Sequence, residues 1–388
     1  MIITFWVSIF LIFYTFFGYG ILLYILVRIK RLLNPTKRRQ LTFEEMPTCT
    51  LIVAAYNEQD LIEQKIANTL ALKFPEGKLQ LIFVTDGSAD RTPELVAKYP
   101  QIKLLHSNER KGKIAAVHRA VAQVDSEIIV FTDANTFLND EALLLICRHY
   151  GDPKVGAVAG EKRVTIDATA DATAGEGFYW KYESKLKEWD SELYSVVGAA
   201  GELFSVRNSL YEPVPLNSIL DDFMISMRIA KKGYVIIYEP EAYAQEDTSA
   251  NIKEELKRKV RIAAGGIQSV IWLKALLNPF KFPVLSFQYI SHRVLRWTIT
   301  PFLMILVLIL NLLLIINNEG IFYTLIGIGQ VLFYCSAYVG KMMEERKVRI
   351  KLLFIPYYFC IMNYAVLAGI VRFFSVGQSV MWEKAIRK

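Results

Sequence analysis

Three short polar clusters stand where chemistry could be done: Tyr56-Asn57-Glu58, Asp86-Gly87-Ser88 and Asp133-Ala134-Asn135. Each follows a run of mainly apolar residues, at 50–55, 79–84 and 127–131. A fourth candidate is the acidic pair Asp221-Asp222, at the head of a helical pattern over 221–232, and a fifth is the basic string at 257–261. Carboxylates grouped on one rim can ligate a hard cation through oxygen or accept a proton. The same residue types also close turns and cap helices. Asp86-Gly87-Ser88 alone reads as a turn into a helix, Asp133 as an Asx-turn, and Asp222 as a first-turn acid suited to the helix dipole. Turn chemistry does not require three polar strand ends to coincide, so their coincidence favours a site.

The elements that must position these residues are legible in the same stretch. The apolar runs at 50–55, 79–84, 102–105 and 127–131 read as buried strands, and 59–72, 91–98 and 113–123 carry helical periodicity. Strand and helix in alternation predict a mostly parallel α/β sheet, in which ligands collect beyond the carboxyl ends of the strands.

The strings TLIVAAYNEQD, VTDGSADRT, RKGKIAAVHRA and IIVFTDANTFL resemble the family 2 glycosyltransferases with the GT-A fold, in order and in spacing. VVGAAGELFSVRNSLY, ILDDFMISMRIAKKGYVIIYEPEA and KRKVRIAAGGIQ extend the resemblance over about 47–270. SHRVLRW, leading into an apolar segment, is similar to the membrane-bound branch that includes synthases of cellulose, hyaluronan, chitin and poly-N-acetylglucosamine. The resemblance implies an α/β GT-A (Rossmann-like) nucleotide-sugar-binding domain inserted between transmembrane helices. It implies that Tyr56, Glu58 and Asp86 hold the nucleobase and ribose of a UDP-sugar. Asp133, with Asn135, would bind Mg²⁺ or Mn²⁺, and Asp222, beside Asp221, would be the general base. Lys111 and Lys113, in the Gly-containing turn 110–113, are weaker candidates for phosphate contacts, since exposed lysines are usually solvated. Arg258 and Arg261 stand where the family has the Gln and Arg of its QxxRW signature. The chain departs from the pattern at Asn135, which adds no charge, at Thr85 in place of a first Asp, and at the absent Gln and Trp of QxxRW. The last departure weakens the implication of long-chain synthesis more than that of glycosyl transfer.

Composition sets the frame. Hydrophobic residues make up 53% of 388, and mean hydropathy is +0.28, high for a soluble enzyme. The net charge of +7 divides unevenly: residues 28–39 hold six basic and no acidic side chains, 251–296 nine basic and two acidic, and 40–250 21 basic and 32 acidic, a net of −11. Basic residues flanking apolar segments suit an anionic lipid surface rather than nucleic acid. Residues 2–27 are uncharged and long enough to cross a bilayer. The basic cluster after them places the next domain in the cytoplasm by the positive-inside rule. Further spans are expected at 298–316, 321–340 and 352–371, the last broken at Pro356 or Asn363. The four cysteines show no metal or disulfide spacing.

The expected organisation is a transmembrane helix at 1–27, a basic cytoplasmic linker at 28–46 and a GT-A catalytic domain at 47–250. Interfacial helices at 251–297, about three transmembrane helices at 298–371 and a basic tail at 372–388 follow. Gly198–Gly201 and Trp180 are candidates for shaping the acceptor site, with a tight turn and a core aromatic as the structural alternatives. The expected activity is inverting transfer from a UDP-sugar to a growing glycan at the cell membrane. The alternatives are a lipid-linked acceptor or an inactive scaffold. The expected partners are donor, acceptor, membrane lipids and a secretion partner or oligomer.

Overall fold

The computed structural model describes residues 1–33, 38–164, 173–246, 252–346 and 350–375. Trp382, Lys384, Arg387 and Lys388 of the basic tail lie outside the described residues, as does part of the basic linker. The chain divides into two compact units. Of the described residues, those in 1–28, 173–186 and 252–375 form one, and those in 29–164 and 187–246 form the other. The span 47–250, expected as one domain, is thus interrupted by a segment that clusters with the apolar helices.

The α/β unit is built on an eight-stranded sheet. Its strands are β1 (Cys49–Ala55), β2 (Leu79–Asp86), β3 (Lys103–Ser107), β4 (Ile128–Asp133), β5 (Phe137–Leu138), β6 (Val155–Val164), β7 (Leu203–Arg207) and β8 (Val235–Glu246). Their order is β3-β2-β1-β4-β7-β6-β8-β5. The first four strands are parallel, as strand–helix–strand repeats demand. β6 pairs parallel with β8, so four of the seven pairings among the described residues are parallel. The sheet also carries antiparallel pairs that the pattern does not predict: β7 enters between β4 and β6 antiparallel to both, and β5 lies antiparallel to β8. The alternating pattern that licensed the expectation ends at β4, so nothing in it fixes the direction of β7. β1 is buried along its whole length, and its Leu51 and Val53 join an apolar cluster with Phe83, Ile128 and Val130. Chain order reverses between β1 and β4, the switch point at which such sheets open a crevice. The Tyr56 and Asp133 clusters stand at the carboxyl ends of these two strands.

The second unit carries the apolar helices. Three helices are long and apolar enough to cross a membrane: Ile2–Leu33, Ile321–Glu345 and Leu352–Ser375. A fourth span exists if Pro283–Trp297 and Thr300–Ile316, bent by 59°, are taken together. The expected break at Pro356 is not found, since Lys351–Ser375 is one helix with the proline near its start. Small residues allow close crossings: a Cβ on Gly369 would lie 2.6 Å from Ala263 Cβ, and one on Gly340 would lie against the Leu353 carbonyl oxygen. Buried Glu183 gathers His292, Arg293 and Arg296 at 2.8–2.9 Å, so its charge is compensated.

Candidate active site

Tight turns tie the strand ends together before any functional group is placed. Asn57 takes a left-handed φ of 53°; its N–H donates to Ser88 Oγ and its Oδ1 accepts the Ala89 N–H, at 3.2 and 2.9 Å. Glu58 is buried and its N–H donates to Thr92 Oγ1 at 2.8 Å. The ring of Tyr56, half-buried, carries the Arg110 guanidinium 4.1 Å from its centroid. Sequence reasoning passed over Arg110, because a cation in a polar turn carries no periodic signal.

Asp86 is 2% exposed. Its Oδ2 accepts the N–H groups of Lys111 and Gly112 at 2.8 and 2.6 Å, and its Oδ1 faces Arg119 at 3.5 Å. Much of its capacity therefore shapes the 110–112 turn, where Gly112 has φ 96°. That turn opens the helix Lys113–Val121 and so aims Lys113.

Lys113 brings the distant acids together. Its Nζ lies 2.5 Å from Asp133 Oδ1. Burial alone would lower this ammonium, but Asp133, Asp221 and Asp222 raise it above the usual lysine range. Burial, and then the Asp221 carboxylate, push the Asp222 carboxyl up to about 7 against the pull of Lys113. Asp222 Oδ1 also accepts the N–H of Phe223 at 2.8 Å, satisfying a first-turn donor of its own helix. About 10 Å³ of cavity remains among Lys113, Asp133, Gly201 and Asp221.

The 198–201 turn packs directly on this group. Gly198 has φ 82°, and a Cβ there would lie 2.1 Å from the Phe223 ring; a Cβ on Gly201 would lie 3.2 Å from Asp222 Oδ2. Asn135 is partly exposed, two residues beyond Asp133. Among the described residues no three His, Cys, Asp or Glu side chains converge as a metal cage. One carboxylate with a neighbouring amide oxygen still fits Mg²⁺ or Mn²⁺, which complete their shells with water and phosphate oxygens. A cation at Asp133 would replace the Lys113 contact.

Arg258 and Arg261 lie in the other unit, on the helix Ile252–Trp272. Arg258 pairs with Glu255 at 3.2 Å, and Arg261 is exposed. Trp180 belongs to the same unit and carries Lys259 5.3 Å from its ring centroid.

Comparison with known proteins identifies the domain that carries these residues. Residues 50–214 match Glycosyl transferase family 2. A poly-beta-1,6-N-acetyl-D-glucosamine synthase of Staphylococcus aureus is 27% identical over 237 residues, 59% of this chain and 57% of that protein. The chain therefore spans a little over half the length of that relative. The Staphylococcus epidermidis synthase of the same name is 23% identical over 332 residues, covering 81% of this chain and 80% of its own. A mannosyltransferase, PcManGT from Pyrobaculum calidifontis, solved with GDP-Man and Mn²⁺, superposes with a TM-score of 0.70, covering 97% of this chain and 100% of that one at 23% identity. Over residues 50–214 the chain thus carries a glycosyl transferase family 2 domain, on a GT-A fold, and is a homologue of the poly-beta-1,6-N-acetyl-D-glucosamine synthases.

Proposed function

We propose that the protein is a membrane-bound inverting glycosyltransferase that moves a sugar, N-acetylglucosamine in the first instance, from a UDP-sugar to a growing cell-surface glycan. The observation that carries this reading is the convergence of Asp222, Asp133 and Lys113 at the rim of the sheet. Asp222 accepts the proton of the acceptor hydroxyl. A carboxyl near 7 is a stronger base than an ordinary aspartate and is still partly ionised at neutral pH. The acceptor oxygen bonds to the anomeric carbon as the bond to the diphosphate oxygen breaks, and the electron pair leaves with UDP. Attack opposite the leaving group turns an α-linked donor into a β-linkage.

Asp133 and Asn135 would hold Mg²⁺ or Mn²⁺, which supplies Lewis-acid stabilisation of the departing diphosphate when bound. Lys113, on the same rim, would offer its ammonium to the phosphates. Tyr56, Glu58 and Asp86 frame the nucleoside side of the site, with Arg110 over the Tyr56 ring. Arg258 and Arg261 are assigned to the phosphates by family position alone. The intact acid set argues against a catalytically silent scaffold. The relatives support the glycan acceptor, and the flanking helices support a cell-membrane location with the α/β unit in the cytoplasm.

The test is transfer by purified membranes offered labelled UDP-N-acetylglucosamine, UDP-glucose and GDP-mannose, with the product sized. Incorporation from UDP-N-acetylglucosamine into a polymer is expected. Incorporation from GDP-mannose alone would overturn the donor assignment, and full activity in excess EDTA would overturn the metal.

A further inference from the structure

The helix Ile62–Leu70 sends two side chains into the segment that carries Asp133 and Asn135. Lys65 is fully buried. Its Nζ donates to the Thr136 carbonyl at 2.6 Å and lies 3.4 Å from Thr132 Oγ1. One turn later Asn68 holds both backbone groups of Leu138: its Nδ2 donates to the carbonyl at 2.7 Å, and its Oδ1 accepts the N–H at 2.9 Å. Between these two anchors the loop closes on itself, Thr136 Oγ1 donating to the Asp133 carbonyl at 2.9 Å. Thr132 Oγ1 lies 3.0 Å from Thr136 Oγ1 and donates to the Glu202 carbonyl at 2.8 Å. The loop is therefore fastened on both sides of Asp133–Asn135.

A lysine is a costly residue for this place. Methionine would fill nearly the same volume without burying an ammonium. Burial lowers the Lys65 amine to about 7, even with the Asp133 carboxylate favouring its charged form. Its hydrogen bonds converge on the one loop that carries the candidate cation oxygens, so the cost is met where loop geometry matters most.

We propose that Lys65, with Asn68, is a positioning residue for the divalent cation, fixing the 133–136 loop so that Asp133 and Asn135 present their oxygens together. The inference rests on the cation assignment made above and goes beyond it by naming what holds the site in shape. Lys65 does not touch the ion, and no step of the reaction passes through it.

Three roles for Lys65 predict three signs. A mere neighbouring cation repels the metal, so removing it would tighten Mn²⁺ binding. A mere filler of the core would leave Mn²⁺ binding unchanged. A positioning residue, once removed, weakens Mn²⁺ binding.

The experiment measures free Mn²⁺ by electron paramagnetic resonance, titrating the full chain in detergent with Mn²⁺ alone. Lys65→Met is expected to raise the Mn²⁺ Kd about tenfold, the scale on which residues supporting metal ligands act, with an unchanged circular dichroism spectrum. Asn68→Ala, at a half-buried site, should shift Kd in the same direction and serves if Lys65→Met does not fold. An unchanged or lower Kd in a folded variant overturns the proposal. Absence of Mn²⁺ binding by the wild type, in a titration repeated with saturating UDP to supply the phosphate oxygens, is a different result, because it removes the cation assignment itself.

Discussion

The proton-accepting role proposed for Asp222 and its burial make conflicting demands. A carboxyl held near 7 suits proton acceptance, but the same shift makes its ionised form costly in the folded state. Asp222→Asn should keep the fold and UDP binding while lowering kcat by roughly 10²- to 10⁴-fold, the range for losing a general base. Asp221→Asn should do less, and a reversed order would move the role to Asp221. In the wild type kcat/KM should climb as pH rises through about 7, where Asp222 ionises. Stability runs the other way. The folded carboxyl is raised above its unfolded value of 3.8, so between about pH 4 and pH 7 the folded state binds the extra proton. Stability from this group is full at the acid end and declines as pH rises across that window. Asp222→Asn should therefore melt higher than wild type at pH 8, with the gap closing towards pH 4. An equal gap at both pH values would rule out the raised carboxyl. Asp133→Ala should abolish most turnover and remove its dependence on added Mg²⁺ or Mn²⁺. A variant that keeps both would shift the cation elsewhere.

At the scale of elements, the turn before β7 packs against the start of the helix Asp221–Lys231. Gly198 combines a left-handed φ with direct contact on Phe223, one residue past Asp222. Gly198→Ala should cost about 1–2 kcal/mol for the backbone conformation, with about 1–3 kcal/mol more for overpacking. It should also slow transfer by displacing Asp222. Gly233 is the control: its φ is 94° but nothing lies within 4 Å, so Gly233→Ala should show only the conformational cost and near-normal kcat. Equal kcat for the two variants would mean that the turn does not aim Asp222. Most of these elements could be read from sequence. The expected strand at 50–55 is Cys49–Ala55 and the expected helix at 113–123 is Lys113–Val121, because apolar runs and 3.6-residue periodicity are local. Lys65 and Asn68 were not legible. On a helical wheel they are ordinary polar residues, and only the loop lying over them gives them work.

At the scale of the whole molecule, the flanking apolar helices and their charge pattern make a prediction about sidedness. In a background with Cys335 and Cys360 replaced by Ser, Asp125→Cys should react with a membrane-impermeant maleimide in inverted vesicles and not in intact cells. Glu319→Cys, in the turn between two apolar helices, should show the opposite pattern. The buried Cys49 and Cys147 need not be removed. Labelling of Asp125→Cys in intact cells would place the α/β unit outside and exclude cytoplasmic UDP-sugars as donors.

By itself the sequence determined the fold type of the first four strands, the apolar spans and the identity of Asp133, Asp221, Asp222 and Lys113 as candidates. All of these rest on local pattern or on motif order. Tertiary structure alone decided that β7 runs antiparallel, that residues 173–186 cluster with the apolar helices, and that Asp86 is occupied by the 110–112 turn. It alone brought Lys113 to within 2.5 Å of Asp133, 20 residues away in sequence. Local propensity acts over a few residues. Asp222 is raised first by burial and then by Asp221 and Glu202, against the pull of Lys113, and the burial and the distant charges exist only when the sheet is assembled.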